Sequence, residues 1–198
     1  MERRKALKKT GAITGGALLF PSMIALLQSC KEQSRIDWKP LFLDVNEAQF
    51  ISSLVDTILP TTDTPGALDV KVDVFLDKVF AETYDDKAKK ELRSEIATFN
   101  NNCKQNFGGS FVNLSQADKD AVLKKEEASG AKFNGTVWGG AVGKQEPIGF
   151  YRSMKSMAIW AYMTSEEIGK NVLSYDPIPG SYKACIDVST VGNKWSLG

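Results

Sequence analysis

Residues 86–107, DKAKKELRSEIATFNNNCKQNF, decide the fold class. Ala88, Leu92, Ile96, Phe99, Cys103 and Phe107 recur at steps of three or four, the period that lines one side of an α-helix. Gly108 follows as a stop, because glycine enters the left-handed conformation that closes a helix. Towards the N-terminus the same period predicts a helix over 69–84, with Val72, Phe75, Leu76, Val79 and Phe80 on one side. Another spans 46–59, where Phe50, Leu54 and Ile58 align and Pro60 ends the run. Towards the C-terminus, Ser115 and Asp118 form a capping pair opening a helix to about 128. A fifth helix covers 150–163, with Phe150, Met154, Met157, Ala158 and Ala161 along one face. Met154, Met157, Trp160 and Tyr162 read as core filling. Thr164 and Glu167 suggest a capping box for one further turn. Residues 130–149 hold six of the 16 glycines and no helical period, so they read as a long loop. The last 25 residues are loop-like, with one short strand expected at 184–188. No strands alternate with helices, so the expected fold is all-α. It is a small irregular bundle of about five to six helices with long Pro/Gly-rich loops.

The first 29 residues differ from the rest. Arg3, Arg4, Lys5, Lys8 and Lys9 make a basic start, and residues 10–29 carry no charge. Leu27-Gln28-Ser29-Cys30 then precedes a polar run. This order describes a bacterial export signal, with Arg3 and Arg4 similar to a twin-arginine pattern and Cys30 placed as the lipidated residue of a lipobox. An uncleaved membrane anchor is the alternative, weakened by three glycines and Pro21 in the apolar run. The expected organisation is a signal at 1–29, a polar linker at 30–45 and one helical domain at 46–198. The protein is then exported, on the periplasmic side, and held to the membrane by its lipid. Residues 1–29 hold five of the 25 basic and one of the 24 acidic residues, so the body is net −3 against +1 for the whole chain. A mildly acidic body argues against nucleic acid as a partner.

Composition excludes much chemistry. The chain has no histidine, which removes Ser-His-Asp and Cys-His nucleophile systems and every His-ligated metal. Gly139 to Lys144 looks like a phosphate loop, but Trp138 stands at the first glycine position and Gln145 at the Ser/Thr position. Asp69, Asp73 and Asp77 fall at i, i+4 and i+8. They suit a solvated face beside Lys71 and Lys78, or a site for a cation or basic partner. Cys103 and Cys185 are open to three readings: a buried thiol, an internal disulfide, or a bridge to another chain. An enzyme here would depend on carboxylates such as Asp63, Glu166 or Glu167. The residues assign no catalytic, cofactor-binding or metal-binding position.

Two turn segments are rigid and polar. Pro60-Thr61-Thr62-Asp63-Thr64-Pro65-Gly66-Ala67 places hydroxyls and a carboxylate between prolines, and Tyr175-Asp176-Pro177-Ile178-Pro179-Gly180-Ser181-Tyr182 repeats the style. The first run resembles the gluconate 2-dehydrogenase subunit 3 family. So do Tyr162 to Gly169 and Pro177 to Tyr182, and together the resemblance covers roughly 47–182. It implies a non-catalytic small subunit of a membrane-associated dehydrogenase oxidising gluconate or related sugars. FAD is then expected in a large partner subunit and haem c in a separate cytochrome subunit. The small subunit is expected to help mature and export the flavoprotein. Partner contacts are expected at Pro60, Thr61, Thr62, Asp63, Thr64, Pro65 and Gly66, at Trp138 in the glycine-rich loop, and at Tyr175, Pro177, Pro179, Gly180 and Tyr182. The alternative is a stand-alone lipoprotein that binds a small ligand.

Overall fold

Helix α1 (Val45–Ile58) forms the centre of the fold. Asp44 accepts from the Glu47 amide while the Glu47 carboxylate accepts from the Asp44 amide, a complete capping box. Ala48, Phe50, Ile51, Ser52, Ser53, Leu54 and Val55 are all buried, so this helix is enclosed on nearly every side. Around it lie α2 (Val72–Thr83), α3 (Asp86–Phe107), a 3₁₀ turn (Phe111–Asn113), α4 (Gln116–Ser129) and α5 (Phe150–Met163). The computed structural model describes residues 36–130, 136–137, 140–144, 148–176, 178, 180–181, 185–194 and 196. The described residues belong to one unit, Ser34–Gly198. Arg3, Arg4, Cys30, Trp138, Pro177, Pro179 and Tyr182 lie outside them.

An aromatic cluster joins four elements. The Phe50 ring lies 5.4 Å from Phe99, 5.8 Å from Phe111 and 6.1 Å from Phe150, centroid to centroid. The first two pairs are edge-to-face and the third is stacked, and such aromatic pairs add to the stabilisation from buried area. The predicted stripe on α3 is observed: Leu92, Ile96, Phe99 and Cys103 are buried, and Gly108 closes the helix at φ 79°. The predicted Ser115 cap is also present. The fold is all-α. Its described extended structure is a two-residue antiparallel ladder, Thr136–Val137 with Gly140–Ala141, inside the expected long loop.

Several expectations are corrected. The second helix begins at Val72, not 69, because 68–71 form a hydrogen-bonded turn with Lys71 at φ 58°. The Thr164 hydroxyl donates back to the Trp160 and Ala161 carbonyls, so it closes α5 rather than opening a capping box. A π-helical turn, Ile168–Val172, follows. Residues 185–187 lead into a one-turn helix, α6 (Val188–Val191), where a strand was expected; Asp187 caps it from its side chain. Trp160 is exposed rather than core. Residues 36–44, expected as the end of a polar linker, are docked on the bundle: Leu43 is buried, and Trp38 and Phe42 pack against the core. Cys103 is a buried free thiol and Cys185 an exposed one, which removes the internal disulfide. Burial, with Glu126 nearby, pushes the Cys103 thiol up to about 11.

Candidate functional site

The run from Pro60 to Lys71 folds as a knot against the end of α1. The Ala67 amide donates to the Leu59 carbonyl (2.8 Å), and the Val72 amide to the Ala67 carbonyl (2.9 Å). Gly66 is required by close approach: a Cβ there would lie 2.5 Å from the Thr61 amide nitrogen. The Asp69 carboxylate accepts from the Thr61 hydroxyl and from the Gly66 amide, both at 2.7 Å. Pro60, Thr61, Thr62 and Asp63 form the exposed lip of this knot, Thr64 and Pro65 are half-buried, and Gly66 is buried.

Of the three aspartates, read as a solvated face or a site for a cation or basic partner, Asp69 is exposed while Asp73 and Asp77 are buried anchors. Asp73 and Asp77 are 0% and 1% exposed. The Asp77 carboxylate accepts from three successive amides, Leu41 (2.6 Å), Phe42 (3.2 Å) and Leu43 (2.8 Å). Such a run of amides is an anion-binding nest, and here the protein's own carboxylate fills it. Asp73 accepts from the Ser52 hydroxyl of α1 (2.8 Å) and the Val74 amide (2.9 Å). Asp73 and Asp77 therefore tie α2 to α1 and to residues 41–43, while Asp69 closes the knot on itself. Arg93 on α3 clasps the same entry segment. Its guanidinium reaches both Glu47 oxygens (3.0 and 2.8 Å) and the Phe42 carbonyl (2.8 Å), and stacks 4.6 Å from the Phe42 ring centroid.

The Tyr162 hydroxyl donates to the Pro65 carbonyl at 2.7 Å. That bond joins two stretches, 60–67 and 162–169, that the sequence marks separately. Between them lies a groove of about 530 Å³ lined by Pro65, Asp69, Lys71, Ser165, Glu166 and Lys170, among others. Glu166 and Lys170, four residues apart on one wall, pair at 2.7 Å. The hydrogen bond from Lys170 holds the Glu166 carboxyl below its usual range, the opposite of what a general acid needs. Asp63 stands alone on the exposed lip. Among the described residues no group of three or more Cys, Asp or Glu side chains is placed to hold a metal ion. Tyr175 and Gly180 are exposed on the C-terminal segment. That segment is tied down at Ser174, whose amide donates to the Lys194 carbonyl (2.9 Å) and whose carbonyl accepts from the Ser196 amide (3.0 Å).

Sequence reasoning missed one feature. The Phe75 and Trp160 rings meet at 5.7 Å on the outside of α2 and α5, 40% and 55% exposed. The signal was present: Trp160 lies off the Met154-Ala158-Ala161 stripe, on the other side of the helix. Among the described residues no helix is long and apolar enough to cross a membrane.

No curated protein and no solved structure matches the chain. A family model, described as gluconate 2-dehydrogenase subunit 3, matches residues 45–180. The match takes in α1, the knot at 60–71, the three aspartates and the groove beside Tyr162, so the chain belongs to the gluconate 2-dehydrogenase subunit 3 family.

Proposed function

We propose that the protein is a non-catalytic accessory subunit of a sugar or sugar-acid dehydrogenase complex, binding a larger FAD-dependent subunit. The observation that carries this reading is the family match over residues 45–180. The knot supports it: internal bonds of the Thr61 and Asp69 side chains hold an exposed lip of Pro60, Thr61, Thr62 and Asp63. In this reading FAD sits in the large subunit and haem c in a separate cytochrome subunit. The small subunit helps the flavoprotein mature and carries it through the twin-arginine route, with Arg3 and Arg4 in the signal. Lipid on Cys30 then holds the complex to the membrane on the periplasmic side.

Purification of the tagged chain under mild detergent tests this. The expected result is a co-purifying flavoprotein with flavin absorbance, and a colourless, inactive chain once the two are separated. A lone monomer from cells that make such a flavoprotein would overturn it. Conversion of Cys30 to Ala should release the protein from the membrane fraction or leave it unprocessed. The groove beside Lys71 and Lys170 favours a second reading, a lipoprotein binding a small polar ligand. Saturable binding of a sugar acid to the isolated chain, lost in Lys170→Ala, would select it.

A further inference from the structure

The outer face of α2 carries a stripe of Lys71, Phe75, Lys78 and Glu82, all exposed, at steps of three or four. Trp160 of α5 lies against Phe75. The Lys71 and Lys78 ammonium groups make no hydrogen bond or ion pair among the described residues. Lys71 is costly in two further ways. It holds a left-handed conformation, φ 58° and ψ 41°, that glycine or asparagine adopts more readily. It also places a cation at the N-terminus of α2, where the helix dipole favours an anion.

Resting on the subunit reading above, we propose that this face is a docking surface for a segment of the partner protein with an apolar side chain flanked by carboxylates. Phe75 and Trp160 form the apolar seat. Tryptophan in such a seat is a common anchor of binding energy. Lys71 and Lys78 supply the complementary charge on a body that is otherwise net acidic. Glu82, at the far end of the stripe, orients the partner by repelling its carboxylates from that end. Two lysines are few for holding a lipid surface, which takes a cluster of basic residues.

The test compares flavin retained by tagged wild-type, Trp160→Ala, Lys78→Glu and Lys71→Glu/Lys78→Glu chains, each checked by circular dichroism. The Trp160 variant and the double variant should each retain at least tenfold less flavoprotein. Lys78→Glu lies on an exposed helix face and keeps the charge test valid if Lys71→Glu fails to fold. A carbodiimide, which joins amines to carboxylates in contact, should link Lys71 or Lys78 to Asp or Glu of the flavoprotein. Equal retention by the variants overturns the surface and leaves the subunit reading standing. No flavoprotein with the wild-type chain overturns both. A Trp160-dependent dimer in sedimentation, or Trp160-dependent binding to vesicles of anionic phospholipid, also overturns the proposal by giving the face another occupant.

Discussion

The two faces of α2 invert the usual placement of polar and apolar groups. On the inner face Asp73 and Asp77 are 0% and 1% exposed, while on the outer face the Phe75 ring is 40% exposed. Hydropathy alone places these residues the other way round. The inner carboxylates are tolerated because donors converge on them: three amides on Asp77, a hydroxyl and an amide on Asp73. The ring paired with the outer aromatic among the described residues is Trp160, itself 55% exposed. The inner face holds the fold together, and the outer face is left for contact.

The sharpest way to break this contrast is Asp77→Ala. Three amides lose their acceptor inside the protein, which costs about 3–5 kcal/mol. In a chain of this size that lowers Tm by roughly 10 °C or more. Asp77→Asn keeps one acceptor oxygen and should lose about half as much. A loss under about 1 kcal/mol for Asp77→Ala, by urea titration, would show that the inner face is not an anchor. Next comes Gly66→Ala, which forces a Cβ against the Thr61 amide and should cost about 1–3 kcal/mol in the same titration. Ser52→Ala removes one donor from Asp73 and should cost about 1–2 kcal/mol. Trp160→Ala should change stability by about 1 kcal/mol or less, since only one exposed ring pair is lost. Its effect belongs in the binding assay. Equal loss of stability and binding in that variant would erase the distinction between the faces.

Cys103 sharpens the same comparison. It is buried like the aspartates, yet no hydrogen bond reaches it among the described residues. Without donors, burial raises the thiol to about 11 instead of accommodating a charge. Its folded value is above its ordinary value of 9.0, so the neutral thiol is the stabilised form. The contribution is complete below pH 9 and is lost as pH rises towards 11. Alkylation at pH 8 followed by mass spectrometry should label Cys185 and spare Cys103. Prompt labelling of Cys103 in the folded protein would contradict its burial.

Much of the fold was legible in the chain. The period of Leu92, Ile96, Phe99 and Cys103, the Ser115 cap and the Gly108 stop are local signals, and each is observed. The family was legible too, from Pro60 to Ala67 and the two later stretches, although the structural meaning of that motif was not. Gly66 and Asp69 look like turn chemistry in sequence, and only the fold shows the Asp69 carboxylate drawing Thr61 and Gly66 together. Asp73 and Asp77 at helical spacing resemble any solvated acidic face. Apart from the adjacent Val74 amide, their amide and hydroxyl partners lie 21 to 36 residues away, beyond what a local pattern can report.

By itself, then, the sequence determined the main helices, the Gly108 stop, the Ser115 cap, the absence of histidine chemistry and the family. These follow from neighbours three or four residues apart, from composition, or from recurring motifs. Tertiary structure alone decided which polar side chains go inside, that residues 41–43 dock on Asp77, that Tyr162 joins two marked stretches, and that Phe75 and Trp160 stay outside. The physical reason is that burial of a charge depends on the donors brought to it, and those donors come from distant parts of the chain.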